Sequence, residues 1–182
     1  MNDHLWQRAA SFAARAHAHQ LRKDHATPYF AHPARVAATV MLVFECQDEI
    51  AIAAAFLHDT IEDTATDYDD LLRHFGREVA DCVAALTKNA ALPEPVRERE
   101  YDAGLARADW RARLVKLADQ HDNYCDALAL GFAPARKAAA KCRRAIKLAK
   151  ADVRGHAPTR RAVAALEALL RTKSPRRGRR TA

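Results

Sequence analysis

The chain has 182 residues, of which 49% are hydrophobic and 29% are charged; this balance is typical of a globular protein that buries roughly two-thirds of its unfolded surface. Only five glycines occur, which disfavours a turn-rich β protein, and no apolar run approaches the roughly 20 residues that a membrane span requires. The four cysteines lie far apart without a C-x-x-C pair. Because no signal peptide is evident either, we expect a cytoplasmic protein with reduced thiols and no membrane partner.

The net charge of +7 arises almost entirely from the C-terminal end. Residues 171–182 carry six Lys or Arg and no acid, and the rest of the chain has 24 basic and 23 acidic residues. We therefore expect residues 1–170 to form one domain and residues 171–182 to be a basic, disordered tail that keeps the protein soluble. Weak contact of the tail with nucleic acid is the alternative, and no other nucleic-acid partner is expected.

Helical patterns dominate the first half of the chain. The predicted helices span residues 4–20, 33–46 and 49–61. Thr27-Pro28 interrupts the first pattern, and Pro33 is suited to the first turn of the second helix. Asp48 is the predicted N-cap of the third helix, which is apolar on nearly all sides up to His58 and is therefore expected at the centre of the fold.

The second half is predicted to be helical as well. Its predicted helices follow a loop at 63–67 and span residues 68–75, 77–87, 96–106, 109–124, 135–152 and 159–171. Gly76 is expected to end the first of these helices, and Gly131 and Pro134 interrupt the pattern before residue 135. No internal repeat and no strand-like alternation is present, so the predicted fold class is all-α.

The run 58–63, which reads HDTIED, places four ionisable side chains at the end of an apolar helix. Charged groups in such a segment are costly unless they are paired or bind a metal. His58 and Asp59 offer one nitrogen and one oxygen ligand, and Glu62 and Asp63 would follow on the same side of a continuous helix. Metal-activated water beside a carboxylate pair is suited to phosphate-ester hydrolysis. The alternative for Glu62 and Asp63 is the acidic start of the next helical turn.

Other candidate site residues are spread along the sequence. His32 directly precedes Pro33, and Asp119 lies in an apolar segment without an evident packing role. Two imidazoles and two carboxylates suit Mn²⁺, Fe²⁺ or Zn²⁺ rather than a thiolate site. Arg22 and Lys23 can receive a phosphate or stack on a base. The alternatives are a packed or capping histidine, an ion-paired aspartate and solvated loop cations.

Several motifs together resemble one family. In chain order they are R-K-D at 22–24, H-P at 32–33, H-D-x-x-E-D-T at 58–64, F-G-x-x-V at 75–79 and K-L-A-D at 116–119. Over about residues 8–130 the sequence resembles the HD-superfamily hydrolase domain of RelA/SpoT homologues, in its stand-alone small alarmone hydrolase form. The joint occurrence of these motifs is very hard to reach by chance.

The resemblance implies a bundle of helices around one divalent metal, expected to be Mn²⁺. The implied reaction removes the 3′-pyrophosphate of guanosine tetra- or pentaphosphate and yields GDP or GTP plus pyrophosphate. The implied metal ligands are His32, His58, Asp59 and Asp119. The residues implied to orient the attacking water are Glu62 and Asp63. The implied nucleotide contacts are Arg22, Lys23, Lys88, Asn123 and Asp126.

The chain departs from the family pattern mainly where the family contacts the nucleotide. Cys125 replaces an arginine, and Asp126 stands where threonine is common, although animal members also have Asp there. An adenosine alarmone and the 2′-phosphate of NADPH are therefore alternative substrates. A non-catalytic regulator that binds metal or nucleotide is the alternative outside enzymes. The helical segment 130–171 is expected to close the bundle and to offer a contact for a homo-oligomer.

Overall fold

The computed structural model describes residues 4–171, apart from the side chains of residues 130 and 132. The predicted basic tail lies outside the described residues, except for Arg171 at its start. Within the described part, the regular structure is helical and confirms the predicted all-α class. The α-helices are α1 (Leu5–Ala16), α2 (Ala31–Ala38), α3 (Glu49–Leu57), α4 (Thr60–Asp63), α5 (Tyr68–Phe75), α6 (Arg77–Leu86), α7 (Glu94–Arg107), α8 (Trp110–Leu130), α9 (Phe132–Ala149) and α10 (Ala157–Arg171). Among residues 4–171, no helix has both the length and the apolar character needed to cross a membrane.

Helix α3 lies at the centre of the fold, as the sequence predicts. Every residue from Ala51 to Leu57 is buried, and the side chain of Asp48 caps the helix by accepting a hydrogen bond from Ala51 N. The helix packs against α1, α2, α6 and α8. Its position carries His58, the residue after its last turn, into the interior, where the histidine is only 3% exposed.

The predicted uninterrupted helix over 49–61 is wrong. Helix α3 ends at Leu57, His58 and Asp59 form a turn, and the short helix α4 begins at Thr60. The fully buried Thr60 explains the break, because its hydroxyl donates a hydrogen bond of 2.7 Å to Leu57 O and so satisfies a carbonyl at the end of α3. Glu62 and Asp63 therefore lie on a separate helical turn.

Other helix boundaries differ from the predictions for local reasons. Helix α2 is followed by a π-helical turn over Thr39–Val43 instead of continuing to Cys46. Helix α8 is longer than predicted and ends only before Gly131, whose φ of 107° breaks the helical path. This long helix packs against α2 and α3 and thereby brings its middle turns beside the end of α3.

Candidate metal centre and nucleotide groove

Two histidines and one aspartate come together where α2 meets the turn after α3. Ligand atoms of His32, His58 and Asp59 all lie within 4.8 Å of one another. Asp59 Oδ2 is 3.6 Å from His32 Nε2 and 3.2 Å from His58 Nε2. Both histidines are almost fully buried, so the three ligand atoms face a shared interior point. These residues are three of the four metal ligands implied by the sequence.

Asp119 on α8 lies beside this cluster. Its Oδ1 atom is 3.3 Å from His32 Nε2 and 4.0 Å from His58 Nε2. Its Oδ2 atom accepts hydrogen bonds of 2.8 Å from both Lys116 Nζ and Gln120 Nε2. Burial disfavours the charged carboxyl, but Lys116 and the two histidines outweigh burial and hold the pKa of Asp119 well below its usual range.

The hydrogen bonds of the two histidines test whether a cation fits between them. His58 Nδ1 lies 2.9 Å from Ala55 O, and since a carbonyl only accepts, Nδ1 carries the proton and Nε2 presents its lone pair. His58 Nε2 is buried and faces Asp59 Oδ2 at 3.2 Å and Asp119 Oδ1 at 4.0 Å, without hydrogen-bond geometry to any described residue. A lone pair aimed at carboxylates is repelled unless a cation or a proton lies between them. The donor set therefore fits one divalent metal.

The second ring nitrogen of His32, Nδ1, contacts the carboxylate of Asp122, which the sequence patterns did not indicate as a site residue. Asp122 Oδ2 lies 2.6 Å from His32 Nδ1, and Arg35 binds the same carboxylate through Nε and Nη2 at 2.5 and 2.9 Å. Burial opposes the charged imidazole, but Asp119, Asp122 and Asp59 outweigh it and raise the pKa of His32 to about 9. The only sequence signal for Asp122 is its position one helical turn after Asp119.

Tyr29 connects the metal cluster to the carboxylate pair. Its hydroxyl oxygen lies 2.7 Å from Asp59 Oδ2 and 2.9 Å from Asp63 Oδ2. Burial and the two carboxylates raise the pKa of Tyr29 above its ordinary value, which keeps the hydroxyl protonated as a donor. In the sequence Tyr29 lies between Pro28 and Phe30, and nothing in that local pattern indicates that it bridges two carboxylates.

Glu62 and Asp63 are both exposed, so solvent reaches the carboxylate pair. Glu62 Oε2 accepts a hydrogen bond of 3.1 Å from the backbone N–H of Lys88. The ammonium group of Lys88, a predicted nucleotide contact, instead pairs with Glu98 at 2.5 Å. Lys88 thus lies next to Glu62, with its charge compensated inside the protein.

A groove of about 520 Å³ gathers the other predicted nucleotide contacts. Its lining includes Arg22, Lys23, Asn123 and Asp126, together with Arg35, Lys137 and Lys141, which were not predicted. Asp126 pairs with Arg22 at 2.7 Å and with Arg35 at 3.1 Å. Asn123 donates its side-chain amide to Asp119 Oδ1. A larger cavity of about 720 Å³ between α1 and α5 contains none of the predicted site residues.

A family model described as "HD domain" matches residues 9–145. The chain belongs to the HD domain family. The matched part of this HD domain contains every predicted site residue, from Arg22 to Asp126. Helix α10 lies beyond the match.

Two vertebrate proteins, each named guanosine-3′,5′-bis(diphosphate) 3′-pyrophosphohydrolase MESH1, are similar to this HD domain. The Xenopus tropicalis protein is 40% identical and the Homo sapiens protein 41% identical, each over 119 residues. These matches span 65% of this chain and 66% of either relative, slightly less than two-thirds of their length. A solved structure of a metazoan orthologue of SpoT, described as hydrolysing ppGpp and playing a role in starvation responses, is similar with a TM-score of 0.75 and 26% identity. That similarity covers 91% of this chain and 94% of the other.

Proposed function

We propose that this chain is a metal-dependent hydrolase that removes the 3′-pyrophosphate of guanosine tetra- or pentaphosphate and yields GDP or GTP plus pyrophosphate. The observation that carries the proposal is the convergence of His32, His58 and Asp59 on one interior point, with an exposed carboxylate pair on the next helical turn. The MESH1 relatives are named for this reaction, and the SpoT orthologue is described as hydrolysing ppGpp.

In this proposal His32, His58, Asp59 and Asp119 hold one divalent metal, which we propose to be Mn²⁺ because the ligand set mixes imidazole with carboxylate. The bound metal would lower the pKa of a water molecule and polarise the phosphoryl oxygens. Asp122 fixes the orientation of His32 through the 2.6 Å contact at Nδ1, which leaves Nε2 for the metal.

Glu62 and Asp63 would orient the attacking water and accept its proton. The water oxygen forms a bond to the phosphorus next to the ribose, the bond between that phosphorus and ribose O3′ breaks, and O3′ takes up a proton. Tyr29 keeps Asp63 close to Asp59 through its hydroxyl, which lies within 2.9 Å of both carboxylates. The pyrophosphate that leaves contains the phosphorus that was attacked.

The groove beside α8 would hold the nucleotide. Arg22 and Lys23 supply cations that recognise phosphate and stack on a base, and Asn123 and Asp126 lie on the same groove. Lys88 lies on the other side of the metal cluster, next to Glu62, where we propose that it approaches the 3′-phosphates.

A nucleotide panel tests the proposed function. The full chain loaded with Mn²⁺ is incubated with guanosine tetraphosphate, the adenosine alarmone and NADPH, and the phosphorus products are identified. Release of pyrophosphate from the guanosine substrate, at a higher kcat/KM than from the adenosine one, is expected. Inorganic phosphate from NADPH alone would favour the alternative substrate, and no turnover of any nucleotide would favour a non-catalytic regulator.

We also propose a cytoplasmic location, which is supported by the free state of Cys46, Cys82, Cys125 and Cys142.

The segment 130–171 remains the proposed contact for a homo-oligomer. The basic tail is proposed to touch nucleic acid only weakly, and its removal is expected to leave hydrolysis unchanged.

A further inference from the structure

A smaller cavity lies between α7, α8 and α9, and Lys88 completes its lining. Its volume is about 50 Å³, and its polar lining includes Lys88, Tyr101, Lys116, Gln120, Lys141 and Arg144. This volume exceeds the roughly 10–15 Å³ that one water molecule needs, so the cavity can admit a small polar group. Gln120 and Lys141 also line the nucleotide groove, so the two spaces adjoin.

The two carboxylates in the lining of this cavity, Glu98 and Asp102, already form ion pairs with arginine or lysine. Glu98 pairs with Lys88 and with Arg144, both at 2.5 Å. Asp102 binds Arg144 at 2.7 Å. Neither acid is therefore left to neutralise a further cation.

Two hydrogen-bond donors in the cavity remain without an acceptor. Tyr101 is 8% exposed, and its hydroxyl has no hydrogen-bond acceptor within the described residues, because its neighbour Lys116 can only donate. Lys141 is an exposed residue of α9 that makes no ion pair in the same part of the chain, and burial of its ammonium group together with the charges of Lys88, Lys116 and Lys137 lowers its pKa. A buried donor that lacks an acceptor and lies beside a lysine free of any acidic partner favours an anionic ligand.

Two residues in the lining of the cavity contact residues of the candidate metal centre or of the carboxylate pair. Lys88, on its wall, donates its backbone N–H to Glu62, and Lys116 Nζ lies 2.8 Å from Asp119 Oδ2 and 5.4 Å from the centre of the Tyr101 ring. Two residues of the lining, Lys88 and Lys116, therefore contact a proposed water-orienting residue and a proposed metal ligand.

We propose that this cavity, the distal phosphate pocket, binds the outer phosphate of the 3′-pyrophosphate group, the one farther from the ribose, through Lys141 and the Tyr101 hydroxyl. The proposal rests on the proposed function for the identity of its ligand. The chemistry of the pocket is that of a phosphate site, with one cation and one neutral donor beside paired charges.

Direct binding of inorganic pyrophosphate tests the pocket without any need for turnover. Calorimetric titrations use the full chain loaded with Mn²⁺ at a fixed free metal concentration, and compare Lys141→Gln and Tyr101→Phe with the control Lys147→Gln. Lys147 is an exposed lysine of α9 that lines neither space. We expect Lys141→Gln to weaken binding about tenfold and Tyr101→Phe about threefold to tenfold, since a hydrogen bond to a charged group is worth about 1.5–3 kcal/mol. The control is expected to bind as the parent chain does.

Guanosine tetraphosphate and guanosine 5′-diphosphate 3′-monophosphate differ only in the outer 3′-phosphate. A comparison of the two distinguishes this pocket from a site for the 5′-diphosphate. Lys141→Gln should raise the KM for guanosine tetraphosphate by a larger factor than it weakens the binding of guanosine 5′-diphosphate 3′-monophosphate and of GDP, because Lys141 also lines the nucleotide groove. Equal pyrophosphate affinity in all variants would overturn the proposal, and so would an equal loss for GDP. If no nucleotide were hydrolysed but pyrophosphate binding still depended on Lys141, the proposed function would fail and the pocket would be supported.

Discussion

Asp122 Oδ2 lies 2.6 Å from His32 Nδ1, although 90 residues separate the two in sequence. Asp122 is buried and is also bound by Arg35, which donates to both carboxylate oxygens. The carboxylate therefore sets the tautomer and the orientation of His32, and Arg35 offsets the cost of burying its charge. Arg35 also reaches Asp126 on the nucleotide groove, so one arginine supports both parts of the site.

Asp122→Asn is expected to weaken metal binding by about 10–100-fold, because carboxylates that hold a ligating histidine have effects of that size. The metal affinity of chelator-stripped protein is measured by competition with a metal indicator. Asp126→Asn is the matched control, since Asp126 binds Arg22 and Arg35 without touching His32. A variant at Asp122 with unchanged metal affinity would show that His32 needs no such support.

Glu62→Gln is expected to keep the metal and to lower kcat by roughly 10²–10⁴-fold, because the amide cannot accept the proton of the attacking water. The measurements are hydrolysis of guanosine tetraphosphate and metal content by elemental analysis. Glu167→Gln, an exposed change on α10, is the control and should behave as the parent chain does. Full activity in Glu62→Gln would remove Glu62 from the mechanism.

Removal of the metal is expected to lower the melting temperature. A metal present at about 100 times its dissociation constant stabilises the folded chain by about 2.7 kcal/mol, which corresponds to roughly 5–10 °C for a domain of this size. Thermal melts with Mn²⁺ and with a chelator measure the shift. The shift should vanish in His58→Ala and persist in His156→Ala, which changes a histidine outside the cluster.

Thr60→Val tests the turn that separates α3 from α4. Loss of the 2.7 Å hydrogen bond to Leu57 O is expected to cost about 1–3 kcal/mol of unfolding free energy, because a buried carbonyl is left unsatisfied. Metal affinity should fall too, since the turn carries His58 and Asp59. The control is Thr159→Val, because Thr159 is also fully buried but its hydroxyl has no partner within the described residues. That change should be neutral or stabilising in urea denaturation.

Arg113→Ala is expected to destabilise the chain by about 1.5–3 kcal/mol, the usual contribution of hydrogen bonds to a charged group. Arg113 binds Asp152 through two contacts of 2.5 and 2.9 Å and donates to the carbonyl oxygens of Leu105 and Ala108 near the end of α7. The measurement is equilibrium urea unfolding. Arg160→Ala, an exposed change on α10, should shift the unfolding free energy by less than about 0.5 kcal/mol.

Residue types and short-range spacing predict much of this protein. The Asp48 cap and the apolar run that follows it predict a central helix, and both are found in the structure. His58 and Asp59 do lie at the end of that helix with their ligand atoms close together. Such features depend on neighbouring residues and on helical periodicity, which the sequence contains directly.

The break after Leu57 shows the limit of periodicity. A repeating apolar pattern continues through the run, but the Thr60 hydroxyl competes for the carbonyl of Leu57, and burial of Thr60 favours that bond. A pattern of apolar and polar residues carries no information on which carbonyl a threonine will bind. The turn at His58 and Asp59 and the hydroxyl of Tyr29 therefore determine where Glu62 and Asp63 lie relative to the metal cluster. Periodicity alone does not predict that position.

The sequence by itself determined the helical class and the types of side chain at the candidate site, because these depend on composition, local spacing and short motifs. The tertiary structure decided what supports that site: Asp122 and Arg35 behind His32, and Lys141 beside Tyr101 in the distal phosphate pocket. These partners come from α2, α7, α8 and α9, and only helix packing brings them together. A long-range ion pair produces no periodic pattern in the sequence, so its partners can be identified only from the packing of the helices.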